Sequence, residues 1–416
     1  MAEPTTLWRH PDFLKLWTGQ TISEMGSTLT RDAMPLLAVI TLQATPLQMG
    51  VLASLEGLPV LAFGIIAGVW VDRLRRRPLM LACDLGRAAL LAVVPLAALL
   101  GVLHIELLYG LVVLIGLLGV FFNSAYRSYL PALVARARLV EGNSKLAMGS
   151  SLAEIGGSGL AGVLVQTVGA PFAMLLDALS FLVSAGSLAL IRRGEPLPAP
   201  DPGGEPPSVT REAIAGLRAL AGQPALRALI GADATRSFLG NFFAPLYGLY
   251  AIRELGLSPA ALGLTIALGG VSSLFGALLA DRALRRFGLG RTLIAAQAIT
   301  TLTAGLIPLA GSLPGSGLAL LCLAQLLGDA LGMIYGIHTV SLRQAITPDH
   351  LLGRVNASFQ LVNEGVAPLG ALTGGALGAL LGVQGALFIA ALGGALASVW
   401  IFVSPVRKLL KMPISS

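Results

Sequence analysis

The chain has 416 residues, 55% of them hydrophobic and only 12% charged, with a net charge of +7. Ordinary soluble domains carry roughly 25% charged residues, so this composition excludes a water-soluble globule of such length. It also excludes a membrane barrel, whose strands would alternate over segments of about ten residues; runs such as Ala88–Leu103 and Leu107–Phe122 are apolar throughout.

The first dozen residues, MAEPTTLWRHPD, are polar and broken by proline, with no short apolar segment before a cleavage site, so no signal peptide is read there. At about 20 apolar residues per crossing, the chain divides into twelve spans. They are predicted at 12–40, 48–71, 79–101, 106–126, 143–167, 171–191, 225–252, 259–281, 290–311, 316–342, 353–381 and 382–404. The abundant Gly and Ala suit membrane helices packed closely through small residues.

Burying a charge in the bilayer is costly, so each ionisable group inside a span needs a partner, a wet cavity or a proton. Span 1 places Glu24, Thr28 and Arg31 on one helical face, with Asp32 rotated by about 80° from Glu24. Adjacent Arg31 and Asp32 cannot face the same way, which predicts that one of them pairs across helices. Span 2 runs into GVWVDRLRRRPLM at 68–80, which sets one acid and four arginines between two apolar runs. In span 3, Asp84 and Arg87 have the spacing of a same-helix ion pair. Span 4 carries Phe121, Phe122, Asn123 and Tyr126, and Glu154 falls near the middle of span 5.

Residues 192–224 form the one long hydrophilic segment. Its Pro-rich first part is expected to be extended. From Thr210 onward, Ile214, Leu217 and Ala221 recur at helical spacing, predicting a short helix on the membrane surface. The segment separates two six-span halves, 1–191 and 225–416.

In span 7, Asp233 and Arg236 repeat the ion-pair spacing, and Asn241, Phe242, Phe243, Tyr247 and Tyr250 follow. Asp281 and Arg282 close span 8, with Arg285 and Arg286 beyond. In span 10, Gln325, Asp329 and Met333 share a face with no Lys or Arg within a turn of Asp329. That makes Asp329 the leading candidate for a residue that takes up and releases a proton. His338, half a turn round, reads as packing. Glu364 lies near the middle of span 11. Cys83 and Cys322, inside apolar runs of different halves, read as core fillers rather than a disulfide or metal site.

Placing the N-terminus in the cytoplasm puts twenty-four of the 28 Lys+Arg in cytoplasmic segments. Arg253 alone falls outside, and Arg31, Arg87 and Arg236 lie within spans. This is the positive-inside pattern. It implies an even number of spans with both termini cytoplasmic, and it accounts for the excess positive charge without a nucleic-acid partner.

The halves also repeat. Asp72, Arg73, Arg76 and Arg77 recur 209 residues later as Asp281, Arg282, Arg285 and Arg286, while Asn143, Gly157, Gly162 and Gly169 recur after 213 as Asn356, Gly370, Gly375 and Gly382. Parallel six-span repeats characterise one large transporter class. Gly68 to Arg77 resembles the loop 2–3 signature of the major facilitator superfamily, G-x-x-x-D-R-x-x-R-[RK]. LWTGQTISEMGSTLTRDAMPLL, LACDLGRAALLAVVPL, LVEGNSKLAMGSSLAEIGG and LLDALSFLVSA further resemble its bacterial drug and siderophore efflux branch, which includes the enterobactin exporter and macrolide efflux proteins. In GGSGLAGVLV at 156–165, Ser158 stands where the family's fifth-span antiporter signature has proline.

The resemblance implies an all-α membrane protein of twelve helices in two pseudo-symmetric six-helix bundles. Gly68, Asp72, Arg73 and Arg76, with Asp281, Arg282 and Arg285 in the second copy, would form a cytoplasmic latch. Asp72 would sit near the positive end of a helix, and the arginines would bridge carboxylates or lipid phosphates. Asn123, Asn241, Tyr247 and Gln325 are the candidates to line the substrate cavity, and Asp329, Glu364, Asp32, Glu24 and Glu154 those to couple protons. The function implied is export of amphipathic small molecules from the inner membrane by alternating access and proton exchange, with a lysolipid or siderophore translocator, or an uncoupled facilitator, as alternatives. The expected partners are substrate, protons and membrane lipids, with the protein a monomer. No phosphate-binding Gly-Lys-Ser loop, His-rich cluster or appended soluble domain suggests an enzyme or a cofactor.

Overall fold

The computed structural model describes residues 6–71, 74–135, 138–191, 218, 220, 222–313 and 315–412, and among them regular structure is entirely helical. The first half contains α1 (Pro11–Ile40), α2 (Pro46–Val71), α3 (Arg76–Leu99), α4 (Ile105–Leu133), α5 (Leu139–Val168) and α6 (Ala170–Ala189). The second contains α7 (Pro224–Gly240), α8 (Phe243–Leu249), α9 (Pro259–Phe287), α10 (Leu289–Ala304), α11 (Leu306–Leu309), α12 (Gly317–Ile346), α13 (Asp349–Leu381) and α14 (Val383–Phe402). With α7–α8 and α10–α11 each forming one crossing, these make twelve membrane spans. Ten helical stretches among the described residues are long and apolar enough to cross a bilayer. α1 falls short because of Glu24, Arg31 and Asp32, and α7 is only 17 residues long.

Two spans differ from the continuous helices predicted for them. Span 7 breaks at Asn241–Phe242 before restarting as α8. Pro245, four residues after Asn241, has no N–H to donate to the Asn241 carbonyl, and its ring crowds that oxygen. The Asn241 side chain donates to the Ser237 carbonyl at 2.7 Å, sharing it with the Asn241 main-chain N–H at 3.0 Å. Span 9 breaks at Gly305 by the same device, with Pro308 four residues after Ala304. A third difference is in length. α4 runs past the predicted end at 126, through Arg127 and Pro131, because a helix need not stop where the hydrocarbon does. Most of the short surface helix predicted from Thr210 lies outside the described residues; Arg218, Leu220 and Gly222, which are described, are helical.

Contacts divide the chain into two units. Unit 1 comprises Met1–Ala44, Leu55–Gly203 and Ser258–Leu264, and unit 2 comprises Thr45–Ser54, Gly204–Leu257 and Thr265–Ser416. In unit 1, α1 packs on α5 and α6, and α3 on α4 and α6. Their core includes Phe13, Leu16, Phe122 and Tyr129, with Cys83 as a small filler. In unit 2, α14 packs on α7 and α10, α12 on α10, and α13 on α7, around Leu229, Leu293, Tyr335 and Phe359.

The sequence repeat has a structural counterpart. Gly169 and Gly382, 213 residues apart, have φ of +86° and +79° and join α5 to α6 and α13 to α14 respectively. Their companions Gly162 and Gly375 both sit at close helix crossings. A Cβ on Gly162 would lie 2.9 Å from the Gly263 Cα, and one on Gly375 would lie 2.7 Å from the Gly50 Cα.

Candidate functional site

In unit 1 the polar residues predicted on span 1 find partners on α5. Ser150 donates to Glu24, which also accepts from Gln20 at 3.3 Å. One turn on, Thr28 packs against Gly157, where a Cβ would stand 2.7 Å from the Thr28 Cβ. Arg31 then reaches Glu154 at 2.6 Å, the pairing across helices that adjacency with Asp32 demanded. Glu24, Thr28 and Arg31 thus meet Ser150, Gly157 and Glu154 along two helices running in the same direction.

Arg31 is shared among more than one carboxylate. Its Nε lies 4.0 Å from Asp32, which neighbours Ser158 on α5, and Glu56 of α2 lies within its electrostatic reach. Three acids therefore surround one cation. The Arg31 and Glu154 side chains are 52% and 56% exposed, so this cluster borders open space rather than packed protein. Asn123 of α4 is also exposed.

In unit 2, Asp329 and Gln325 share a face of α12 as their spacing predicted, and both border Gly269 on α9. A Cβ on Gly269 would lie 3.2 Å from the Asp329 Cγ and 3.5 Å from the Gln325 Nε2. Asp329 is half-buried, and among the described residues its carboxylate has no ion-pair or hydrogen-bond partner. Tyr247 on α8 meets Thr265 on α9 at 3.1 Å. Asn241 sits at the break in span 7, where its own carbonyl has lost its helical donor to Pro245. Discontinuous helices of this kind expose backbone polar groups only where they line protein or a wet cavity. Glu364 is half-buried on α13, beside Asn363, whose carbonyl accepts from Ser237 at 3.3 Å.

Sequence reasoning passes over two intramembrane acids. Glu56 is one; its signal was a lone charge inside the run 48–71. The other is Asp177, inside LLDALSFLVSA. Asp177 is buried and accepts from Ser180 at 3.0 Å, close to Asp84 and Arg87. Asp84 and Arg87 form the expected same-helix pair at 2.5 Å, and the guanidinium is sandwiched between Phe122 at 4.4 Å and Phe181 at 4.1 Å. Such packing makes this a structural anchor of α3, α4 and α6. His338 Nε2 donates to the Ala280 carbonyl at 3.0 Å, which fits its reading as a packing residue.

At the charged loops, Asp72 and Arg73 lie outside the described residues, Gly68 lies in α2, and Arg76 begins α3. Arg77 donates to the carbonyls of Leu188 at 2.8 Å and Ala189 at 2.6 Å, and Lys15 to that of Leu190 at 2.8 Å. Cations here complete the C-terminus of α6, where orphan carbonyls and the helix dipole favour positive charge. In the second copy, Asp281 pairs with Arg285 on its own helix, and Arg282 is exposed.

Residues 16–364 match the sequence profile of the Major Facilitator Superfamily. The chain is 28% identical over 404 residues to the multidrug efflux pump Tap of Mycolicibacterium fortuitum, with 93% of each chain aligned. It is 26% identical over 380 residues to the enterobactin exporter EntS of Citrobacter koseri, covering 89% of this chain and 86% of that one. Among solved structures, a bacterial homologue of the iron transporter ferroportin in an inward-facing state superposes with a TM-score of 0.75 at 18% identity, over 95% of this chain and 98% of the other. With twelve spans, two repeated halves and a profile match over most of its length, the protein is a multi-pass membrane transporter, not an enzyme, and belongs to the Major Facilitator Superfamily.

Proposed function

We propose that the protein exports amphipathic small molecules across the inner membrane by alternating access, driven by proton exchange, with both termini in the cytoplasm. The observation that carries this reading is Asp329, a half-buried carboxylate in the middle of a spanning helix with no partner among the described residues. A carboxylate so placed holds a cation or a proton, but not both. Protonation from outside releases a cationic or hydrogen-bonding substrate, and loss of that proton to the cytoplasm restores the site. Gln325 and Tyr247 supply neutral hydrogen-bonding groups, and the broken span 7 supplies a backbone carbonyl.

The second acidic group, Asp32, Glu56 and Glu154 around Arg31, works in the same sense. One cation among three acids leaves net negative charge, which favours cationic or zwitterionic substrates. The efflux activity named for the Mycolicibacterium relative supports export. The enterobactin exporters among the relatives support a siderophore as the alternative cargo, though an anionic siderophore suits an acid-rich cavity less well. The latch reading of Gly68, Asp72, Arg73, Arg76, Asp281, Arg282 and Arg285 belongs to the same proposal, as does action as a monomer.

The test is transport in proteoliposomes under an imposed pH gradient, with a panel of lipophilic cations and lysolipids. The wild type is expected to move at least one cation and to shift internal pH as it does so. Asp329→Asn should abolish gradient-driven movement while expression and thermal midpoint stay unchanged. Full transport by that variant removes Asp329 from the mechanism, and failure of the whole panel to move or to perturb pH removes the exporter reading.

A further inference from the structure

At the corner where α9 turns into α10, the end of α9, the turn at Phe287–Gly288 and the C-terminal tail border an open cavity of about 480 Å³. Arg285, Arg286 and Arg291 line it from the corner, and Lys411 lines it from the tail. The tail is bonded to this place: the Gly290 N–H donates to the Leu409 carbonyl at 2.8 Å, and the Leu289 N–H to the Leu410 carbonyl at 3.4 Å. These bonds use two of the N–H groups that the first turn of α10 leaves without helical partners. They bring Lys411 to the cavity that the arginines line.

Among the described residues, protein balances only one of the four cations in this cavity. Asp281 pairs with Arg285. Arg286 lies 5.8 Å from the ring of Phe287, and neither Arg291 nor Lys411 has an ion-pair partner among the described residues. Two lining side chains have the opposite character: Phe287 is 55% exposed and Leu410 is 69% exposed. The positive-inside rule explains cations on this side of the chain. It does not explain a tail bonded back to carry a fourth cation, or apolar side chains left standing among the charges. A ligand that answers both has an anionic head and a hydrocarbon body.

We propose that this corner binds the phosphate group of an anionic phospholipid. Arg286, Arg291 and Lys411 take the phosphate oxygens in charge-assisted hydrogen bonds, while Phe287 and Leu410 lie along the first methylenes of the acyl chains. Basic pockets between spanning helices at the cytoplasmic face suit such headgroups. Free phosphate would use the same cations but leave the apolar side chains facing water, so the lipid is the better fit. Arg285 contributes least, being already paired.

The experiment uses the full chain in nanodiscs of phosphatidylcholine with and without cardiolipin, read by native mass spectrometry for retained cardiolipin and by the thermal midpoint. The wild type is expected to retain cardiolipin and to gain thermal stability from it, with no gain from inorganic phosphate in phosphatidylcholine alone. Arg286→Gln/Arg291→Gln/Lys411→Gln should weaken retention roughly a hundredfold, at three surface cations lost. Arg286→Lys/Arg291→Lys should keep it, and so should Arg407→Gln/Lys408→Gln, which removes two nearby cations that do not line the cavity. If the triple glutamine variant does not fold, Leu410→Asp, at an exposed tail position, carries the same expected loss. Unchanged retention in the triple variant or in Leu410→Asp overturns the site. An equal loss in the Arg407/Lys408 variant reduces it to general surface charge. A stabilisation by inorganic phosphate equal to that by cardiolipin makes it a free-anion site and overturns the lipid assignment.

Discussion

A methyl group added at Gly269 meets the Asp329 carboxylate, with the Cγ only 3.2 Å away. What it meets is the end of a flexible side chain, so the neighbour moves and the cost falls at the low end of the roughly 1–3 kcal/mol that overpacking takes. The carboxylate itself, however, is displaced from the place where it would meet proton or substrate. Gly269→Ala is therefore expected to lower gradient-driven transport by about tenfold, roughly 1.4 kcal/mol, with the thermal midpoint in detergent nearly unchanged. A large fall in that midpoint, or transport at the wild-type rate, contradicts the assignment. The shared face of Asp329 and Gln325 was legible in the sequence because both lie on one helix at a spacing of four. Glu56 was not, because its neighbour Arg31 belongs to another helix, and spacing along a chain records only the faces of a single element. Gly269 was hidden for the same reason: nothing in α9 announces which residue of α12 its missing side chain makes room for.

The twelve spans themselves were legible, since length and apolarity act on each segment separately. Their interruptions were written in the sequence too, in a subtler sign: Pro245 and Pro308 each remove the donor for a carbonyl four residues earlier, and each break falls where that bond is missing. Five other helices run on through internal prolines, Pro35, Pro59, Pro95, Pro131 and Pro368. Proline alone therefore does not decide; Pro245 and Pro308 break their spans where Asn241 and Gly305 stand just ahead of them. At this scale the repeated glycines give the sharpest expectation. A Cβ on Gly375 would stand 2.7 Å from both the Gly50 Cα and the Pro46 carbonyl oxygen. These are backbone atoms, which cannot swing aside as the Asp329 side chain can. Gly375→Ala should cost about 1–3 kcal/mol and lower the thermal midpoint clearly. Gly110→Ala, where a Cβ meets nothing within 4 Å, should leave it unchanged. Equal midpoints for the two variants would show that the crossing relaxes freely.

For the molecule as a whole, the proposed orientation rests on the twenty-four of the 28 Lys+Arg that fall on one side of the predicted spans. The rule acts on loop composition and needs no tertiary contact, which is why orientation is open to prediction from sequence while the acid cluster around Arg31 is not. Several of those cations have local work as well: Arg77 and Lys15 hold the carbonyls ending α6. Completing a helix end and supplying the loop charge that the proposed orientation needs are compatible demands on one side chain. The expected topology can be read with single cysteines after replacing the buried Cys83 and the half-buried Cys322 with alanine. Val102, between α3 and α4, and Leu313, before α12, are 56% and 52% exposed and fall outside in this arrangement. Lys408, exposed beyond α14, falls inside. A membrane-impermeant maleimide should label Val102→Cys and Leu313→Cys in intact cells, and Lys408→Cys only after permeabilisation. Three crossings, α12, α13 and α14, separate Leu313 from Lys408, so label on both from the same side contradicts the span count in the second half. Label on Lys408→Cys alone in intact cells keeps the count and inverts the orientation, which would place the basic corner of α9 and α10 outside, away from the anionic inner leaflet.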